Sequence, residues 1–177
     1  MKTYANLSRA ERIEKVMQTR RADLALVLEN LAEDLNISAI LRTAESFGVG
    51  KICVIHAEGK LPKISKNTSS GASKWLDVKN FTSLKKCINE LKKDRFKIIA
   101  ALVDPDAKVL WEQKFNGKIA ILVGNEALGM SEEAKKLVDE NIYLPMFGLT
   151  ESLNVSVAAA IFLYEVIRQK EKVTSNN

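Results

Sequence analysis

The sequence is poor in the residues that hold metal ions and disulfides. It contains one histidine and two cysteines among 177 residues. A structural zinc site usually takes four cysteine or histidine ligands, and a disulfide framework needs several cysteine pairs. We therefore expect no metal. We also expect Cys53 and Cys87 to be buried free thiols, as in proteins of the reducing cytoplasm.

Long apolar runs are also missing. The longest apolar stretch, from Val155 to Ile167, is interrupted by Ser156 and Glu165. It is too short to span a bilayer. The first residues lack the apolar segment of a secretory signal peptide. We therefore expect neither a membrane partner nor a signal peptide.

Charge of one sign is only slightly in excess. The 27 lysines and arginines stand against 22 acidic residues, which gives a net charge of +5. This excess permits a polyanionic partner such as nucleic acid, but a solvated basic surface explains it equally well. The length and the 46% hydrophobic content suit one domain over residues 1–177. We expect a helical N-terminal extension over about 1–22 and a disordered tail over about 173–177.

Apolar segments of strand length alternate with segments of helical periodicity. Strands are predicted over Leu24–Leu28, Lys51–His56, Phe96–Val103 and Ile119–Val123, with a last one ending at Tyr143 and Leu144. Helices are predicted to begin at Ser8, Asn36, Thr82, Ser131 and near Ser152, all residue types that can cap a helix. Residues 57–71 are predicted to form a loop. The alternation predicts an α/β fold with a mainly parallel sheet flanked by helices.

A loop with two glycines follows the strand that ends at Val123. Gly124 and Gly129 have the spacing of a phosphate-binding P-loop, but Met130 occupies the position of its lysine. Glu126 would also place a carboxylate beside the phosphates, so an NTPase is disfavoured. Ligands of open α/β sheets bind at the carboxyl ends of the strands. The loop is therefore either part of a ligand site or an ordinary turn.

Two other segments contain candidate polar residues. Arg42 lies on the helix predicted to begin at Asn36, where it can border a cleft or form a surface ion pair. Before the last helix, an apolar, turn-rich loop could enclose an adenosine, with Met146, Leu149 and Leu153 around the base. Ser152 and Asn154, at the end of this loop, could belong to the same pocket or cap the helix.

Taken together, the three segments resemble the three ordered motifs of one family. Asn36–Gly48, Leu122–Met130 and Tyr143–Ser156 are similar to the motifs of the SpoU branch of the SPOUT RNA methyltransferases. The region from Arg12 through Leu28 to Asn36, and the segment Asn67–Trp75, further resemble the TrmH type. Enzymes of that type methylate the 2′-hydroxyl of a guanosine in the tRNA D-loop, guanosine 18.

The resemblance implies a C-terminal trefoil knot, S-adenosylmethionine as cofactor, and a homodimer through the last helix and the knot region. The catalytic residues that it implies are Arg42, Asn36, Glu126, Ser152 and Asn154. The cofactor-binding residues that it implies are Ala101, Leu102, Gly124, Leu144, Met146 and Leu153.

The resemblance also implies roles for the polar residues. A guanidinium is a very weak base, so Arg42 is expected to hold the target phosphate in preference to accepting a proton itself. Asn36 is expected to orient Arg42 or the RNA, and Glu126 to position Arg42 or the amino end of the cofactor. Ser152 and Asn154 are expected to shape the catalytic pocket.

Two groups of basic residues are candidates for RNA binding. They are Arg9, Arg12, Arg20 and Arg21 near the first helix, and Lys60, Lys63 and Lys66 in one loop. Larger TrmH-type enzymes continue past the last helix with a further RNA-binding extension, whereas this sequence ends at Asn177. Methylation of rRNA or of another tRNA position therefore remains an alternative. A catalytically inactive RNA-binding module is an alternative of a different class.

Overall fold

The computed structural model describes residues 6–56 and 75–174, and these contain a seven-stranded parallel sheet. The strands are β1 (Arg21–Glu29), β2 (Val49–Ile55), β3 (Val78–Phe81), β4 (Phe96–Ala101), β5 (Lys108–Val109), β6 (Lys118–Val123) and β7 (Glu140–Tyr143). The helices are α1 (Arg9–Gln18), α2 (Asp34–Ser46), α3 (Leu84–Lys93), α4 (Glu132–Leu137) and α5 (Val155–Thr174). The predicted α/β fold with a parallel sheet is confirmed.

The sheet is buried on both faces. Leu24, Leu26 and Leu28 of β1 belong to a core cluster with α2 and α5, whereas Ala25 and Val27 face the cluster with α3 and α4. All five side chains are fully buried. A strand covered on both sides has no polar face, which explains the continuous apolar run. Cys53 and Cys87 are buried free thiols in the second cluster, as predicted.

The helix starts agree with the sequence in part. The predicted helix starts at Ser8 and Ser131 are confirmed: Ser8 forms a capping box with Glu11, and Ser131 is the N-cap of α4. The predicted caps Asn36, Thr82 and Ser152 are wrong. α2 begins earlier, at Asp34, so that Asn36 lies in its first turn. α3 is capped instead by the neighbouring Ser83. Asn154, the other residue predicted as a possible cap of the last helix, does cap α5, and that alternative is confirmed.

The strand order is β3-β2-β1-β6-β4-β7-β5. The last strand, β7, therefore lies between β4 and β5, which both precede it in the chain. The carboxyl ends of β6, β4 and β7 are adjacent, so the segments that follow these three strands meet at one edge. The trefoil knot implied by the resemblance remains a prediction. Across the two described ranges, no helix is long and apolar enough to cross a membrane.

Candidate active site

A cleft of about 440 Å³ opens at the carboxyl ends of β4, β6 and β7. Its walls come from these strand ends, from the loops that follow them, and from the start of α2. All the residues that the resemblance assigns to the cofactor line it: Ala101, Leu102, Gly124, Leu144, Met146 and Leu153. Four of the five predicted catalytic residues also line it: Asn36, Glu126, Ser152 and Asn154. The topology thus brings residues from all three motifs together.

The loop after β6 folds back tightly on itself. The backbone N–H of Gly129 donates to the carbonyl of Asn125 over 2.9 Å. A Cβ on Gly124 would lie 2.6 Å from the carbonyl oxygen of Gly129 and 2.9 Å from Cα of Met130. Gly129 itself has a φ of +69°, a conformation that favours glycine. The two glycines are therefore needed for a close backbone turn, which accounts for their P-loop-like spacing without a phosphate.

A line of hydrogen bonds joins the three motifs inside the cleft. Asn154 Nδ2 donates to Asn36 Oδ1 over 2.9 Å, and Asn36 Nδ2 donates to Glu126 Oε1 over 2.8 Å. At the far end, Asn154 Oδ1 accepts from the hydroxyl of Ser156 over 2.6 Å. An ionised carboxylate can only accept, so Glu126 fixes the orientation of the Asn36 amide and, through it, that of Asn154.

The carboxyl group of Glu126 lies at the N-terminal end of α2. Its Oε2 accepts from the backbone N–H of Ala32 over 3.0 Å. Burial opposes ionisation of this group, but the hydrogen bonds from Asn36 and from Ala32 outweigh it and hold the pKa of Glu126 below its ordinary value. Glu126 is therefore a permanent negative charge in the cleft at neutral pH.

The charge of the cleft has one sign. Glu33, Glu126 and Glu151 line it, whereas the described lining contains no lysine, arginine or histidine. Three carboxylates without a basic partner disfavour a phosphate-bearing ligand and favour a cationic one. Leu102, Leu144, Leu153, Met130 and Phe162 supply an apolar remainder that suits a ring system. Within the described ranges, no group of three or more His, Cys, Asp or Glu side chains is placed to hold a metal ion.

Residues 23–164 match the SpoU rRNA Methylase family. The chain belongs to this family.

Relatives of this SpoU family chain resemble it over most of its length. The tRNA (guanosine(18)-2′-O)-methyltransferase of Thermus thermophilus is 39% identical over 165 residues, which are 93% of this chain and 84% of that protein. The crystal structure of the A. aeolicus TrmH/SpoU tRNA modifying enzyme has a TM-score of 0.89 and 34% identity, covering 94% of this chain and 84% of that one. A structure concerning 2-OH methylation of C/U34 on tRNA has a TM-score of 0.74 and 26% identity, covering 84% of this chain and 97% of that one.

Arg42 stands apart from the other predicted SpoU catalytic residues. It lies on α2 with an exposed side chain and does not line the cleft. Its guanidinium forms no hydrogen bond or ion pair with the described residues, so the predicted alternative of a surface ion pair is not found there. None of the five donors of this guanidinium is used by a described residue.

The predicted RNA-binding residues differ in accessibility. Arg9 and Arg12 are exposed on α1 and line a groove of about 240 Å³ that also includes Trp75. The side chain of Arg20 is only 12% exposed and donates to the carbonyls of Trp75 and Val49 over 2.6 and 3.3 Å. Arg21 forms an ion pair with Glu171. Lys60, Lys63 and Lys66 lie outside the described residues, as do the predicted loop 57–71 and most of the segment 67–75.

The sequence analysis did not identify the residues that hold the loop after β6 in its conformation. Asn125 Oδ1 accepts from the backbone N–H groups of Ala127 and Leu128 over 2.9 and 2.8 Å, while its Nδ2 donates to the carbonyl of Asn30 over 2.7 Å. An asparagine just before a turn is a recognisable local signal for the first two bonds. The third joins residues 95 positions apart, and no local pattern indicates it.

Proposed function

We propose that this chain transfers a methyl group from S-adenosylmethionine to the 2′-hydroxyl of a ribose in structured RNA. The observation that carries the proposal is the single cleft, which collects the six predicted cofactor residues and four of the five predicted catalytic residues. The relative from Thermus thermophilus makes guanosine 18 of tRNA the first substrate to test. We further propose that residues 1–177 act as one cytoplasmic domain with α1 as an N-terminal extension.

The cleft fits the proposed cofactor in shape and charge. S-adenosylmethionine carries positive charge on its sulfonium and amino groups, and when bound it supplies an electrophilic methyl group. Leu102, Leu144 and Leu153 would hold its adenosine against apolar walls. Glu126 would face its cationic part, because the carboxylate lines the cleft and remains ionised at neutral pH.

The predicted catalytic residues that do not hold the cofactor would bind and orient the target ribose. A ribose 2′-hydroxyl is a poor nucleophile until its proton is removed, so the site must orient the hydroxyl and provide an acceptor. A guanidinium is a very weak base, so we assign Arg42 the role of a clamp for an RNA phosphate, which leaves that phosphate to take the proton. Asn36 and Asn154 hold the neighbouring wall in a fixed shape through their hydrogen bonds to Glu126. The exposed hydroxyl of Ser152 lies on the same wall.

A second copy of the chain would complete the site. A groove of about 470 Å³ between α2 and α5 is lined mainly by apolar residues, among them Phe47, Val157 and Ile161. Val157 and Tyr164 are 45% and 56% exposed there, which a partner would cover. Thr43 also lines this groove and follows Arg42 directly. A homodimer through α5 would therefore place its partner beside the proposed catalytic arginine.

The principal alternative is another RNA position. The structure concerning C/U34 of tRNA is covered by this chain over 97% of its length, so a chain of similar extent is associated with a different tRNA position. Ribosomal RNA is the other substrate class. In each case the cleft and Arg42 would keep their roles, and only the RNA-contacting surface would differ.

The test is methyl transfer from radiolabelled S-adenosylmethionine to unmodified tRNA and rRNA transcripts, followed by nucleoside analysis. We expect 2′-O-methylguanosine in tRNA, and no label in a matched tRNA with 2′-deoxyguanosine at position 18. Label that persists in the deoxy control, or appears in rRNA, would assign the activity to another nucleotide. Cofactor binding without transfer to any RNA would contradict the proposed activity and support the inactive RNA-binding module.

A further inference from the structure

A buried carboxylate lies directly behind the loop that follows β6. Glu29 is the last residue of β1 and is only 3% exposed. It does not line the cleft. Burying a carboxylate is costly unless hydrogen bonds compensate for the lost water. The hydrogen-bond partners of Glu29 therefore indicate its structural role.

Both carboxylate oxygens of Glu29 bind one residue, Ser131. Oε2 accepts from the backbone N–H of Ser131 over 3.2 Å, and Oε1 accepts from its hydroxyl over 2.5 Å. The same hydroxyl oxygen accepts from the backbone N–H of Ala134 over 3.1 Å as the N-cap of α4. Because a hydroxyl has one proton, the bond to Glu29 orients it and leaves its lone pairs for the helix.

The next residue of the chain holds the loop at a second point. The carbonyl of Asn30 accepts from Asn125 Nδ2 over 2.7 Å. Glu29 and Asn30 thus fix the two ends of the segment Gly124–Ser131 to the end of β1. Five residues of this segment line the cleft: Gly124, Asn125, Glu126, Gly129 and Met130.

We propose that Glu29 is a positioning residue, which holds the segment Gly124–Ser131 in the conformation that binds the cofactor. It acts through Ser131 and touches no ligand itself. The identity of the ligand rests on the proposed function, whereas the attachment of the segment to Glu29 is independent of it. The expected consequence of losing Glu29 is a cleft that is disordered on one side in the free protein and must be ordered again by the ligand.

The test compares Glu29→Ala with Glu29→Gln. The alanine variant loses both bonds to Ser131, and hydrogen bonds to charged groups are strong enough that we expect the Kd for S-adenosylmethionine to rise by at least about tenfold. The glutamine variant keeps one acceptor and should show a smaller rise. Turnover at saturating cofactor should fall less than the affinity in both. Amide hydrogen exchange over residues 125–131 should accelerate in the ligand-free variants.

A matched control separates positioning from helix capping. Ser83 caps α3 as Ser131 caps α4, with its hydroxyl accepting from the backbone N–H of Lys86 over 3.4 Å. Ser83→Ala should lower the unfolding temperature without changing the Kd, whereas Ser131→Ala should raise the Kd. Adding Ser131→Ala to Glu29→Ala should change the Kd little further, because the two residues act together.

Two results would overturn the inference. One is a Glu29→Gln protein, folded by circular dichroism, with wild-type exchange over residues 125–131. The other is a Glu29→Ala variant whose turnover at saturation falls while its Kd stays unchanged. Failure of the wild type to bind S-adenosylmethionine would contradict the proposed function instead, and the exchange measurement would still decide the role of Glu29.

Discussion

The side-chain amide of Asn154 donates a hydrogen bond to Oδ1 of Asn36, and the two atoms are 2.9 Å apart. The residues are 118 positions apart in the chain. Asn36 in turn donates to Glu126, so each of the three motifs contributes one residue to a single line. Arg42, on the same helix as Asn36, is outside it. Loss of Arg42 and damage to the cleft should therefore have separable effects.

Replacement of Arg42 by alanine should abolish turnover and leave cofactor binding intact. The guanidinium forms no hydrogen bond or ion pair with the described residues and does not line the cleft, so its loss should disturb neither the fold nor the affinity. We expect turnover to fall by at least about a hundredfold, as for other groups that assist proton transfer. Single-turnover methylation and calorimetry with S-adenosylmethionine measure the two effects.

The Arg42→Lys variant tests whether the geometry of the guanidinium matters as well as its charge. Lysine keeps the charge but loses the planar, two-pronged geometry, so a phosphate clamp should be restored only partly. Equal losses of turnover and cofactor affinity in Arg42→Ala would contradict the assigned role and make the arginine part of the cofactor site.

The lowered pKa of Glu126 predicts how the free energy of unfolding depends on pH. Its pKa is lowered from an ordinary value of 4.5, because hydrogen bonds from Asn36 and Ala32 outweigh the effect of burial. A carboxylate with a lowered folded-state pKa contributes stability that is fully present above its unfolded value and is lost as the pH falls through the folded value. Its contribution should thus be constant from pH 8 to about pH 5.5 and decline below about 4.5.

The measurement is the unfolding temperature of wild type and Glu126→Gln across this range. The difference between the two proteins should be constant at neutral pH and shrink in acid. The contribution of Glu126 to the free energy of unfolding is reduced by solvent screening, since the residue is exposed. A Glu126→Gln curve parallel to the wild type at every pH would show that the carboxylate is not linked to folding.

The sequence predicted the elements better than it predicted the contacts between them. Leu24–Leu28 was identified as a strand because a short apolar run suits a strand buried on both faces. Asn36 was wrongly predicted to cap its helix, since an asparagine before an apolar periodic segment commonly does so. Its amide is instead engaged by Asn154 and Glu126, and tertiary partners at such separations leave no periodic pattern.

The residues of the candidate site were predicted from the resemblance to the SpoU motifs. The fold explains why these residues lie together. The three motifs indicated which residues belong together, and the adjacent ends of β4, β6 and β7 explain why they meet. Glu29 was overlooked because an acidic residue at the end of a strand usually faces solvent. Its partner is Ser131, the N-cap of α4, which lies 102 positions further along the chain and leaves no local pattern.

Gly124→Ala should impair the cleft by a purely steric route. The added Cβ would lie 2.6 Å from a backbone oxygen and 2.9 Å from a backbone Cα, which no side-chain rotation can relieve. We expect the loop after β6 to shift and the cofactor affinity to fall by at least about tenfold. Calorimetry with S-adenosylmethionine is the measurement.

Gly148→Ala provides the matched control for this variant. Gly148 lies in the loop before α5, and a Cβ there would meet nothing within 4 Å. The alanine variant should bind the cofactor like the wild type. Equal affinities of the Gly124 and Gly148 variants would show that the close turn of the loop is not required for binding.

The apolar groove between α2 and α5 predicts a homodimer interface. One charged substitution in this groove should weaken the dimer. Val157 is 45% exposed in the groove, and an aspartate there would be buried without a partner in the dimer. We expect Val157→Asp to raise the dimer dissociation constant by at least about thirtyfold in sedimentation equilibrium, the size of an interface hot spot. Met17→Asp, at an apolar position 54% exposed on α1, should leave the dimer unchanged.

Activity measured on the same proteins decides whether the partner matters for catalysis. Thr43 lines the groove and adjoins Arg42, while Ser156 lines it and donates to Asn154. Separation of the copies should therefore lower turnover more than it lowers cofactor affinity. A wild type that is monomeric at micromolar concentration, or a Val157→Asp monomer with full turnover, would contradict the proposed completion of the site by a second copy.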